Sequence, residues 1–177
     1  MMTEVFIAGF GGQGILFTGR FIAYAGMLAG REVTWLPSYG AEVRGGTANC
    51  GVILSDTPIG SPTVTQPDVL IVMNLPSLDK FEKAIAPGGM LLADSSLITR
   101  EPARKDVVFH SVPATRLASE EGMAKLANMI MIGKLMRESG LCGPGEAERV
   151  MRSIIPESRS ALVTQNMRAI ELGYGFA

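Results

Sequence analysis

The chain opens with Val5-Phe6-Ile7-Ala8, a short apolar run that breaks at once into Gly9-Phe10-Gly11-Gly12-Gln13-Gly14. Helical spacing of apolar residues resumes at Ile15 and continues through Leu16, Phe21, Ile22, Ala25 and Leu28 to Gly30. Four apolar residues in a row need no helical period and suit a strand buried on both faces, whereas the later segment keeps its apolar side chains largely on one helical face. Val33 to Leu36 reads as a strand again, with Pro37 as its end. Strand, glycine loop, helix and strand make a βαβ opening, which commits the chain to an α/β layer architecture with a mostly parallel sheet.

The segments that follow fit that frame. Ser38 to Gly46 is polar, glycine-rich and irregular, as expected of a long surface loop. Cys50 to Leu54 reads as a strand, Ser55 to Pro62 is dense in turn formers, and a short strand is expected near Thr63 to Thr65. Val69-Leu70-Ile71-Val72-Met73 is the strongest strand signal, continuous and β-branched. A helix is expected over Leu75 to Ile85, closed by Pro87-Gly88-Gly89, then strands at Met90 to Ala93 and Val107 to His110. From Pro113 the pattern is helical only, with candidates near 115–121, 122–139, 145–155 and 157–172. No repeat or low-complexity linker divides the 177 residues, so a single domain over 1–177 is expected, with a sheet-forming core at 1–112 and a mainly helical C-terminal part at 113–177.

The glycine loop satisfies GxGxxG in the required place, after a strand and opening a helix. Glycines there allow positive φ and close approach of backbone, and the helix N-terminus offers unpaired N–H groups to an anion; the alternative is a tight turn that only packs helix on sheet. NAD binding further wants an acidic residue at the end of the second strand. That strand ends Trp35-Leu36-Pro37-Ser38, and the nearest acid, Glu32, stands at its other end, so a dinucleotide enzyme is disfavoured. GxxxxGK[ST] is absent, which excludes a P-loop. In a parallel sheet the second strand's carboxyl end shares an edge with the glycine loop, which places Tyr39, Glu42 and Arg44 across a crevice from Gln13. Arg44 then holds an anionic group with Tyr39 or Ser38 supplying a hydroxyl, or Glu42 and Arg44 pair with each other in a surface turn; the residues alone leave both open.

Composition narrows the function classes. Lys plus Arg is 16 and Asp plus Glu 17, a net charge of −1, which argues against a nucleic-acid binder. Charged residues make up 19%, against about 25% in an average soluble domain, and apolar types 47%; the deficit hints at surface covered by another chain. No apolar run approaches the roughly 18 residues of a membrane span, and Glu4 stands where a signal peptide wants basic residues, so a cytoplasmic location is expected. Two distant cysteines, Cys50 and Cys142, and the single His110 are too few for a zinc or iron–sulfur site. Cys50 is expected to be a small buried hydrophobe, Cys142 a loop residue, His110 structural, and Asp94 the cap of the following turn. Met123, Met129, Met131 and Met136 read as helix core or a subunit-facing surface.

Gly9-Phe10-Gly11-Gly12-Gln13-Gly14, then Pro37-Ser38-Tyr39-Gly40-Ala41-Glu42-Val43-Arg44-Gly45-Gly46, Ile59-Gly60-Ser61-Pro62 and Pro67-Asp68-Val69-Leu70 together resemble the gamma subunit, or gamma domain, of the 2-oxoacid:ferredoxin oxidoreductases. The likeness runs from Glu4 to about Asp94 and continues more loosely through Asn128-Met129-Ile130-Met131-Ile132-Gly133. It implies a Rossmann-like, mostly parallel sheet flanked by helices with a C-terminal helical extension. It implies a subunit, inactive alone, of a complex that oxidatively decarboxylates a 2-oxoacid with coenzyme A and passes electrons to ferredoxin, 2-oxoglutarate being the favoured substrate. Alpha, beta and ferredoxin-like delta subunits are the implied partners, with a homodimer possible and no nucleic acid or membrane. Thiamine diphosphate, magnesium, iron–sulfur clusters and coenzyme A belong on or with those subunits, and no cofactor or catalytic residue is assigned to this chain. The residues carried over as ligand- or partner-facing are Gly11, Gly12, Gln13, Gly14, Ser38, Tyr39, Glu42, Arg44 and Gly45, with Arg44 as the anion contact and Tyr39 and Gln13 as neutral donors. The competing reading is a Rossmann-like module that binds or senses a nucleotide or acyl-CoA.

Overall fold

The computed structural model describes residues 1–39 and 47–176, the Tyr39 side chain excepted. Six strands, β1 (Met2–Phe10), β2 (Glu32–Tyr39), β3 (Thr47–Ser55), β4 (Val69–Val72), β5 (Met90–Asp94) and β6 (Val108–Val112), form one sheet in the order β2-β3-β1-β4-β5-β6. β1, β4, β5 and β6 pair in parallel, while β3 is antiparallel to both β1 and β2. β2 therefore runs with β1 but does not touch it, because β3 is inserted between them. The βαβ opening is present as a direction of travel and absent as a pair of neighbours. Sequence order alone does not distinguish the two, since the hydrophobic pattern of β3 suits either an edge or an interior position.

Pro37 does not end β2. The strand runs on to Tyr39, with Pro37 opposite Cys50. β2 is an edge strand, and an edge tolerates the missing N–H. The strand expected at Thr63 to Thr65 is absent: that segment is coil, and Val64 sits over Gly51 on the sheet face, where a Cβ on Gly51 would come within 2.9 Å of it.

The helices are α1 (Ile15–Leu28), α2 (Leu75–Phe81), α3 (Ala114–Glu120), α4 (Ala127–Ser139), α5 (Pro144–Ile154) and α6 (Ala161–Gly175). α2 continues as a 3₁₀ turn at Glu82–Ala84, so the helix expected to Ile85 is α-helical only as far as Phe81. Its start is fixed by Asn74, whose Oδ1 accepts from Ser77 N at 2.9 Å, and by Pro76 in the first turn. One face of the sheet packs against α1 and α3 to α6 through Val5, Ile7, Cys50, Val52, Leu54, Ile71 and Leu92. The other carries α2 and the 95–107 loop over Leu70, Val72, Leu91 and Ala93. That loop is tied down by Arg100, which donates to Asp79 and to the buried Glu82.

The C-terminal helices are part of the main core rather than an appendage to it. Met129, Ile130, Met131 and Ile132 of α4 are all fully buried, which an apolar helix achieves by lying between the sheet-facing layer and another helix. That other helix is α6, and the two meet at Gly133 and Gly173. A Cβ on either would collide with the backbone carbonyl of Ile170 or Ile130 opposite.

Candidate functional site

The glycine loop lies at the carboxyl edge of β1, and its shape follows from two residues. Gly12 has φ +99° and Gly14, the N-cap of α1, φ +75°, both in the region that L side chains rarely adopt. Gly14 also admits Asn128 of α4, whose amide occupies the space a Cβ would need. Gly11 and Gly12 face the surface beside Phe10, a phenylalanine more than one-third exposed.

Gln13 turns inward. Its Oε1 accepts from Phe10 N at 2.7 Å and from Asn74 Nδ2 at 3.3 Å, and its Nε2 donates to Met73 O at 2.9 Å. One carboxamide thus closes the glycine turn and ties it to the end of β4 and the cap of α2. Gln13 is thereby an internal strut of the loop, with one of its two Nε2 N–H groups committed to Met73 O. Asn74 was missed as a site residue, although an asparagine just before Leu75-Pro76 at the end of a strong strand is a readable N-cap signal.

The register puts the end of β2 on the same edge. Tyr39 stands opposite Ala48 and Ser38 opposite Asn49, while Ala48 and Thr47 stand opposite Gly9 and Phe10. Ser38 is exposed there. Glu42, Arg44 and Gly45 lie outside the described residues, as does the Tyr39 side chain.

Two clefts flank the glycine loop and share Gly14 and Phe17. One, of about 550 Å³, is apolar and lined by Phe10, Gly11, Gly12, Ile15, Leu16 and Ala48. The other, of about 810 Å³, opens on the helical side toward the α3–α4 turn and α6. Both fall within the size range of small-ligand sites.

The nucleophilic and titratable side chains elsewhere are structural. Cys50 is sealed under α1, its Sγ donating to Ile15 O at 3.5 Å, and burial pushes its thiol up to about 12. Cys142, half-buried between α4 and α5, is raised to about 11 by burial and by Glu146. Neither is a thiolate near neutral pH. Asp94 is fully buried and accepts from Ser96 N, Thr115 N and Thr115 Oγ1, capping its own turn and anchoring the start of α3. His110 packs against α4 with Nε2 3.9 Å from Glu138, and burial lowers its pKa despite that carboxylate. No helix among the described residues is long and apolar enough to cross a membrane.

Comparison with known proteins places these features in a family. The family described as pyruvate ferredoxin/flavodoxin oxidoreductase matches residues 4–176. The chain is 41% identical over 98% of its length to ketoisovalerate oxidoreductase subunit VorA of Methanothermobacter thermautotrophicus, but spans only 36% of that relative. It is 33% identical, over its whole length and 95% of the relative's, to 2-oxoglutarate synthase subunit KorC of Methanocaldococcus jannaschii. Among solved structures, the gamma subunit of a keto/oxoacid ferredoxin oxidoreductase from Geobacter sulfurreducens superposes with a TM-score of 0.85 at 30% identity, covering 98% of this chain and 95% of that one.

Proposed function

The chain belongs to the pyruvate ferredoxin/flavodoxin oxidoreductase family, and from that premise we propose that it is the gamma component of a multi-subunit 2-oxoacid:ferredoxin oxidoreductase. The observation that carries this reading is the match to 2-oxoglutarate synthase subunit KorC over the whole of this chain and 95% of that subunit. Where the likeness is to VorA, the same domain is about a third of a longer chain, so the remaining polypeptide is a natural neighbour of this one.

The redox chemistry belongs to the partners. A four-iron cluster needs four thiolates, and this chain has two cysteines far apart, one sealed behind α1. The resemblance to the 2-oxoacid:ferredoxin oxidoreductases implies that thiamine diphosphate, magnesium, the clusters and coenzyme A are supplied on or with alpha, beta and ferredoxin-like delta subunits, from which electrons pass to ferredoxin in the cytoplasm. On this reading the chain's ligand- or partner-facing residues are Gly11, Gly12, Gln13, Gly14, Ser38, Tyr39, Glu42, Arg44 and Gly45, of which Gln13 also braces the glycine turn. Arg44 is the residue suited to an anionic group on a ligand or partner.

The substrate class is a 2-oxoacid. Coverage of 95% of a 2-oxoglutarate synthase subunit favours 2-oxoglutarate, and the higher identity to a ketoisovalerate oxidoreductase subunit favours a branched-chain 2-oxoacid. Affinity purification of the tagged chain from its native cells should bring down larger thiamine-binding chains and a cluster protein, and the purified complex should reduce viologen with one of these two acids in a coenzyme A-dependent way. Arg44→Ala should lower that turnover while the chain still folds. Recovery of the chain alone would overturn the proposal, as would tight binding of a nucleotide or acyl-CoA by the isolated chain.

A further inference from the structure

Asn128 opens the run Asn128-Met129-Ile130-Met131-Ile132-Gly133 in the first turn of α4. The four apolar members of that run fill the core, and Gly133 makes the crossing with α6. Asn128 does neither: it is polar, only 5% exposed, and bonded to the glycine loop 114 residues earlier in the chain. Its Nδ2 carries two hydrogens, and both are used. One bond goes to Gly14 O at 3.2 Å and the other to Thr18 Oγ1 at 3.3 Å, while Thr18 Oγ1 passes its own hydrogen to Gly14 O at 3.0 Å. With Thr18 N at 2.9 Å, three donors converge on one carbonyl. An N-cap carbonyl ordinarily accepts only the first bond of its helix, so two of these three exceed what α1 needs in order to start.

The surplus bonds set a direction. A trans peptide is planar, with its C=O and N–H pointing opposite ways, so holding Gly14 O toward α1 turns Ile15 N–H out of the start of the helix. Gly14 needs holding, because at φ +75° and without a Cβ it has wide conformational freedom. Gln13 fixes the other side of the turn through Phe10 N and Met73 O. No side chain caps α1, and the N–H groups of Gly11, Gly12, Gly14 and Ile15 meet no acceptor among the described residues. The turn is therefore pinned from two distant parts of the chain while its own donors stay free. Gly11, Gly12, Gly14 and Ile15 line the 550 Å³ cleft together.

We infer that Asn128 is a positioning residue of the ligand-facing glycine loop, acting on a bound substrate without touching it, by fixing the Gly14–Ile15 peptide. The inference rests on the reading of that loop as ligand-facing in a coenzyme A-dependent 2-oxoacid oxidoreductase. The two soluble substrates share anionic chemistry, phosphates on coenzyme A and a carboxylate on the 2-oxoacid, and separate titrations tell them apart.

The test takes the purified complex and measures KM for coenzyme A and KM for the 2-oxoacid by viologen reduction. Asn128→Leu removes both amide bonds at similar volume and should raise one of the two KM values about fivefold, with kcat changed by less than about twofold. Thr18→Val removes only the hydroxyl and should move the same constant in the same direction by less. If both variants melt lower or associate more weakly but leave both KM values in place, Asn128 serves packing alone and the inference is overturned. Arg44→Ala, measured alongside, separates that result from the wider reading. A raised KM for Arg44→Ala with none for Asn128→Leu leaves the loop ligand-facing and removes Asn128 from its support, whereas no change in any of the three variants overturns both. Should Asn128→Leu fail to assemble, Thr18→Val decides on the same two constants.

Discussion

Gly12 and Gly14 need glycine for different reasons, and substitution separates them. No atom lies within 4 Å of a Cβ at Gly12, so Gly12→Val loses only through its φ of +99°, about 1–2 kcal/mol, and Gly12→Asn should recover part of that. Gly14→Ala adds a collision with the Asn128 amide and should lower the unfolding temperature further. Gln13→Leu removes three hydrogen bonds at once and should cost about 2–3 kcal/mol in a urea titration. The glycine pattern is legible in sequence because positive φ is a local property. The partners of Gln13 are not, since Met73 and Asn74 stand some sixty residues away and nothing in the loop names them.

His110 predicts a pH dependence of stability. Burial lowers its pKa from 6.5, with Lys134 lowering it and Glu138 opposing from α4. The unfolded chain then binds a proton more readily than the folded one, so stability is full above pH 6.5 and falls as the pH drops through 6.5 toward the lower folded value. His110→Gln should flatten urea midpoints measured between pH 7.5 and 5.5. An unchanged slope would place the titration elsewhere.

At the scale of elements, the α4–α6 crossing is the most demanding contact. Gly133→Ala or Gly173→Ala puts a methyl group against the facing helix backbone, which can yield only by separating the helices, at a cost of about 3 kcal/mol. Gly145→Ala in α5, where a Cβ meets open space, is the control and should leave the denaturation midpoint unchanged or slightly raised. The same scale shows what periodicity delivers. β1, β4, β5, β6 and α1 fall close to their expected places because each carries its own apolar pattern. β2 outran its expected end because edge position, a property of the sheet, decides whether Pro37 is tolerated. Val64 lacks a strand because it covers Gly51 by packing, without a ladder of hydrogen bonds.

For the whole molecule, one sheet joins the two apolar clusters, and helices from the C-terminal part fill the larger of them. We propose from this that residues 1–177 unfold as one unit. Circular dichroism and Trp35 fluorescence should report a single coincident transition, and a chain ending at Val112 should fail to fold because it leaves the α1 face of the sheet bare. Two separate transitions, or a folded 1–112 fragment, would divide the domain.

By itself the sequence determined the local grammar of this protein. It set the type of most elements, the glycine turn, the lack of a cluster-ligand set and a likeness to the gamma subunits, all carried by residues close together in the chain or by simple counts. Only the tertiary structure decided that β3 separates β1 from β2, that Gln13 braces the loop it belongs to, and that Asn128 of α4 ties itself to Gly14 and Thr18 at the start of α1. Those features depend on which distant segments share a hydrogen bond or a wall, and such pairings are settled when the whole chain packs.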